Sequence, residues 1–301
     1  MVTENPTTKT PVEFAMPAGA TDCHVHVVPD PALFPFSPDR GYTMPVATAT
    51  DLLAFQNALQ LDRVVVVTPS IYGTDNAATI HALAQIGAKR ARGVAVIGPN
   101  TDRSQLQAMH ESGIRGIRLN LSTGASSFDP DLAINKFAAA LKQIEGLPWH
   151  IEMYVPVKAI AVLADLFASS QVPLLFDHFG GSQASEGVDQ PGFRNLLDLV
   201  EKGRAYVTLS GEYRVSQDAP EYGDVAPLAK ALIAANPRQL VWGSDWPHPN
   251  DARVPGRKAT DVSPPLDVDD GRLLNLLKDW APSAAARQMI LVDNAARLYD
   301  F

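Results

Sequence analysis

The chain has a single cysteine, Cys23, in 301 residues, which excludes an internal disulfide framework. It lacks any uninterrupted apolar run of about 18 residues, the length a membrane-spanning helix needs. The opening stretch from Met1 to about Phe14 is polar and rich in Thr and Pro, without the basic start and apolar core of a secretion signal. Basic residues are not in excess either. The 25 Lys and Arg face 33 Asp and Glu, a formal net charge of -8 that disfavours general nucleic-acid binding. These absences predict a cytoplasmic protein with neither a membrane nor a nucleic-acid partner, and they leave its oligomeric state open. An acidic surface still permits an anionic substrate, because a few converging arginines bind a carboxylate locally.

What is present is a composition of 46% hydrophobic and 19% charged residues, enough for a large core. Residues 16–301 read as one domain behind a flexible tail, 1–15. Short apolar or β-branched segments recur at 21–28, 63–68, 92–97, 113–120, 149–154, 172–176, 205–210 and 239–243. Helical patterns separate them, and three more, at 271–280, 283–291 and 294–299, follow the last as elements expected to pack on an outer ring. This βα repetition fits either a closed barrel or an open doubly wound sheet. The strand ends discriminate. Polar side chains cluster at the C-terminal ends of six of the segments, and a barrel brings those ends around one mouth while an open sheet spreads them apart. The chain is therefore read as an α/β protein with a (β/α)8 TIM barrel.

On a strand, side chains two apart share a face, so His24 and His26 point together with Asp22, and Cys23 points away from them. Arg118 and Asn120 share a face on the fourth segment, as do His150, Glu152 and Tyr154 on the fifth. Arg118 offers a donor fork for a carboxylate, Asn120 orients a hydroxyl or carbonyl, and Tyr154 is the donor nearest its strand end; His150 reads as a deep core group. His178 stands before two glycines that permit a sharp exit from the sixth strand. Asp245, in Gly-Ser-Asp-Trp after the eighth segment, reaches His24 and His26 if the barrel closes and is the leading proton carrier. Loop candidates for substrate contact are Tyr42, Ser70, Arg214 and His248.

The motifs Thr21-Asp22-Cys23-His24-Val25-His26, Tyr72-Gly73-Thr74-Asp75-Asn76, Arg115-Gly116-Ile117-Arg118, Asp177-His178 and Ser244-Asp245-Trp246-Pro247-His248 resemble those of the amidohydrolase superfamily. Within it the chain is similar to the lactone-processing branch of pyrone-dicarboxylate hydrolases and D-galactarolactone isomerases. The resemblance spans nearly the whole barrel. The superfamily's metal-dependent members also need a bridging ligand at strand four and a histidine at strand five, and this chain has neither. The resemblance accordingly implies metal-free, cofactor-free chemistry, with His24, His26 and His178 around a lactone oxygen and Asp245 moving the proton. The second arginine set of the pyrone hydrolases has no counterpart in 121–127 or at 180–181. The implied reaction is isomerisation of D-galactaro-1,5-lactone to D-galactaro-1,4-lactone, with metal-independent hydrolysis of a dicarboxylate or sugar-acid lactone as the alternative.

Overall fold

A computed structural model describes residues 10–121, 128–250 and 255–301. Eight parallel strands lie in chain order: β1 Thr21–Val25, β2 Arg63–Val67, β3 Ala91–Ala95, β4 Ile114–Asn120, β5 His150–Tyr154, β6 Leu174–Phe176, β7 Ala205–Leu209 and β8 Leu240–Trp242. Backbone contacts beyond β8 close the ring. Asp245 N donates to His24 O at 2.9 Å, and His26 N donates to Trp246 O at 2.7 Å. The Asp22 carboxylate adds a second tie across this seam, accepting from Ser244 N at 2.9 Å and Ser244 Oγ at 2.6 Å. The sheet is thus a closed (β/α)8 TIM barrel, as the strand-end pattern predicts.

Three of the helices between the strands start where the chain supplies a side-chain cap. Thr48 and Asp51 form a capping box for the helix Ala49–Ala58, and Asp102 with Gln105 does the same for Arg103–Glu111. Asp129 caps Pro130–Gln143, whose first residue needs no amide donor because it is proline. Alternation along β2 sorts the two packing layers. Val64 and Val66 pack outward with helix residues such as Leu52 and Leu83, whereas Val65 and Val67 face the barrel interior with Val94, Leu175 and Val241.

Two expectations fail here for physical reasons. A register shift in β1 between Asp22 and Val25 interrupts strict alternation, so Cys23 joins the inner cluster instead of pointing away from the barrel axis. The last helical segment, Asn294–Tyr299, does more than cover the ring: Tyr299 is wholly buried in that inner cluster and meets the His150 ring edge-on at 5.0 Å. It closes the barrel floor. Of the expected tail, residues 1–9 lie outside the described residues. Thr10 is bonded to Asp269 through its N at 3.1 Å and its Oγ1 at 2.6 Å, and Glu13 N donates to Asn275 at 2.8 Å.

Candidate active site

The C-terminal ends of β1, β4, β5 and β6 and the segments after β7 and β8 converge on Asp245. The register of β4 with β5 pairs Arg118 with Glu152 and Asn120 with Tyr154, so two side-by-side polar faces point into the barrel. Gly116 opposite His150 leaves room for that imidazole, whose Nδ1 lies 2.9 Å from Arg115 O deep in the barrel. Burial lowers the His150 pKa to about 4, so it is a neutral packing group.

Three imidazoles aim Nε2 at Asp245, and two of them, His26 and His178, have Nδ1 committed behind. His26 Nδ1 donates to Val67 O at 2.8 Å, and its Nε2 stands 3.5 Å from Asp245 Oδ1. His24 Nδ1 faces Glu152 Oε1 at 3.4 Å and Asp177 Oδ1 at 3.6 Å, with Nε2 3.8 Å from Asp245 Oδ1. His178 Nδ1 is 2.8 Å from Ser210 Oγ, with Nε2 3.9 Å from Asp245 Oδ2. His178 opens a left-handed turn through Phe179, Gly180 and Gly181. A Cβ on Gly181 would strike the Val155 carbonyl, so the two glycines are what permit this aim.

Burial, reinforced by the neighbouring cationic groups, holds His24 well below the ordinary imidazole pKa. Burial likewise lowers His178 to about 3. Both are neutral bases at pH 7. Asp245 is also buried, but the adjacent Arg214 guanidinium, the largest of the opposing influences, holds its carboxyl well below the usual range. Tyr213 Oη and Arg214 Nε both donate to its Oδ2 at 2.6 Å, whereas its Oδ1 has no hydrogen-bond partner. Beneath His24, burial and the adjacent Asp177 carboxylate push the Glu152 carboxyl well above its ordinary range. Asp177 Oδ2 in turn accepts from Arg118 Nε at 3.1 Å and Nη2 at 2.9 Å.

His24 Nε2 and His26 Nε2 converge on the ionised Asp245 Oδ1 at 3.8 and 3.5 Å, a set of donor atoms that one cation would draw together. The donor atoms of His24, His26 and Asp245 fall within 4.8 Å of one another, as do those of His24, Asp177 and His178. All these residues are buried, and His24 Nε2 and Asp245 Oδ1 have no hydrogen-bond partner. Two nitrogens and a carboxylate oxygen suit one ion such as zinc. The expectation of a metal-independent site is therefore corrected. The missing strand-four bridge argues against a second ion, and says nothing against a single one.

A narrow cleft opens over this cluster. His26, His178 and Asp245 line it from below, and Arg118, Asn120 and Tyr154 from one side. Tyr42, Ser70, Arg214 and Pro249 complete the wall. Nine of the predicted residues thus line one cleft, while His24 lies beneath it with Nε2 3.8 Å from Asp245 Oδ1. His248 is absent from the lining; it is buried, with Nε2 2.8 Å from Asp270 Oδ2. Sequence reasoning missed Tyr213. Its neighbour Arg214 is a candidate from sequence, but only the left-handed bend at Gly211 reveals that both side chains reach Asp245.

Residues 21–301 match the amidohydrolase family, and the chain belongs to it. It is 36% identical to a 4-sulfomuconolactone hydrolase of Rhizobium radiobacter, over 96% of this chain and 92% of that one. It is 33% identical to a 2-pyrone-4,6-dicarboxylate hydrolase of Comamonas testosteroni, over 95% and 92%. A solved structure described as a putative 2-pyrone-4,6-dicarboxylic acid hydrolase of Pseudomonas putida superimposes with TM-score 0.77 at 31% identity, covering 95% of this chain and 98% of that one. Similarity to the D-galactarolactone isomerase of Agrobacterium fabrum is lower, 26% over 95% and 92%. The isomerase expectation is corrected accordingly: kinship is stronger to hydrolases. Among the described residues no helix is long and apolar enough to cross a membrane.

Proposed function

We propose that this chain hydrolyses a small lactone bearing one or more anionic groups. The observation that carries the reading is the meeting of an ionised, half-coordinated Asp245 with two imidazoles and two guanidinium groups in one cleft. The hydrolase names of the nearer relatives, both of acidic lactones, support it.

In this reading the anionic substituent lies against Arg118 and Arg214, with Asn120 and Tyr154 fixing the ring above His178. The lactone carbonyl then faces the imidazoles, and a water lies on Asp245 Oδ1. Attack of the water on the carbonyl carbon passes its proton to Oδ1; the ring C–O bond breaks and the departing oxygen recovers a proton. The Arg214 and Tyr213 contacts on Oδ2 keep Asp245 ionised before attack and orient its other oxygen. His24, His26 and Asp245 would hold a zinc-like ion, with His178 alongside; such an ion supplies polarisation of the carbonyl and a more acidic water.

The test is a pH-stat and NMR time course with 2-pyrone-4,6-dicarboxylate and 4-sulfomuconolactone, on protein loaded with zinc and on protein stripped by a chelator. Acid release with an open-chain product, restored on adding zinc back, is expected. A ring-rearranged product, or no acid release from either lactone, would reject hydrolysis.

A further inference from the structure

His248 and Asp270 are each 2% exposed and lie outside the cleft lining, yet they connect to its base. Asp270 Oδ2 is 2.8 Å from His248 Nε2, His248 Nδ1 is 3.4 Å from the Tyr213 hydroxyl, and that hydroxyl is 2.6 Å from Asp245 Oδ2. We propose that His248 and Asp270 form a positioning pair that holds the Tyr213 hydroxyl on Oδ2 of Asp245, so that Oδ1 alone is presented to the reacting centre. Its catalytic consequence rests on the lactone-hydrolase reading.

A phenol hydroxyl has one proton and turns freely about its C–O bond, so its direction is set by what surrounds it. The Tyr213 ring meets the His248 ring at 88° with centroids 5.7 Å apart, and Nδ1 faces the hydroxyl from the side opposite its own partner Asp270. Both ends of the chain are anchored. His248 N donates to Asp245 O at 2.8 Å, in a left-handed backbone with φ +62°. Asp270 begins the helix Asp270–Trp280, whose cap Asp269 grips Thr10, and Gly271 lies against the Thr10 backbone carbonyl with no room for a Cβ. A buried ionisable pair with no surface or substrate role is costly to keep unless it fixes a geometry. Here the geometry is the inequivalence of the two Asp245 oxygens.

The test is a double-mutant cycle of Tyr213→Phe and His248→Gln, joined by Asp270→Ala and Asp270→Asn. Each single change at 213 and 248 should lower kcat about tenfold or more with KM nearly unchanged, and the double should be no worse than Tyr213→Phe alone. Asp270→Asn, whose carbonyl still accepts from the imidazole, should recover most of the activity that Asp270→Ala loses. In crystals of Asp270→Ala the Tyr213 hydroxyl should leave Oδ2. Multiplying effects in the cycle, or a hydroxyl still seated on Oδ2 in Asp270→Ala, would overturn the proposal. A wild type that opens no lactone would refute the hydrolase reading only, since the crystals still decide the positioning.

Discussion

Asp245→Asn separates chemistry from architecture more cleanly than any other change at this site. Asparagine matches the aspartate in volume, and its carbonyl oxygen can keep the two 2.6 Å contacts from Tyr213 and Arg214. Its amide then takes the place of Oδ1, 3.5 Å from His26 Nε2. The fold should therefore hold. What disappears is the proton acceptor and one anionic metal ligand. Positioned proton transfer is worth about 10²–10⁴ in rate, so kcat should fall by that factor, roughly 3–5 kcal/mol of barrier. Arg118, Asn120 and Tyr154 are untouched, so KM should stay within about threefold. Steady-state hydrolysis of an acidic lactone under saturating zinc, beside a thermal melt, makes the measurement. A mutant kcat within tenfold of wild type would refute Asp245 as the proton acceptor.

The remaining expectations concern stability. Gly116→Ala would place a Cβ 2.6 Å from His150 Nδ1 and 2.7 Å from its Nε2, against a ring held by Arg115 O and Tyr299. Overpacking of this kind costs about 1–3 kcal/mol, readable by urea denaturation, and an unchanged midpoint would mean that the ring is free to move. Glu212 is buried, and burial raises its pKa from 4.5 to about 8. The folded state thus holds a proton that the unfolded chain releases, so stability is full below pH 4.5 and declines until about pH 8. Glu212→Gln should remove that decline, a difference on the order of 4 kcal/mol at its largest, and parallel pH dependences of the two melts would show the carboxyl to be ionised in the fold.

Periodicity carried most of the architecture, because the strands of a closed barrel repeat one grammar and their polar ends must share a mouth. That Arg118 and Asn120 share one face, and Glu152 and Tyr154 another, follows from parity; that they stand side by side follows from the register. Cys23 escaped that logic because a bulge is a local backbone event that two-residue alternation cannot register. The Asp270–His248–Tyr213 link escaped it because its members come from three segments with no common period. The metal question was misjudged for another reason. The missing bridge is legible in sequence, but the convergence of imidazole nitrogens on one carboxylate oxygen exists only in three dimensions, where His26 and His178 have their other nitrogen committed elsewhere.

His178, Asp245 and His248 all sit in left-handed backbone, at φ +48°, +62° and +62°. For a residue with a Cβ that region costs about 1–2 kcal/mol relative to right-handed backbone. Glycine would relax each position and at the same time erase the side chain that gives the position its purpose. Selection for heat resistance and selection for turnover therefore pull in opposite directions at these three places. A more durable version of this molecule must find its gains elsewhere, in the helices and the floor of the barrel, and leave its mouth under tension.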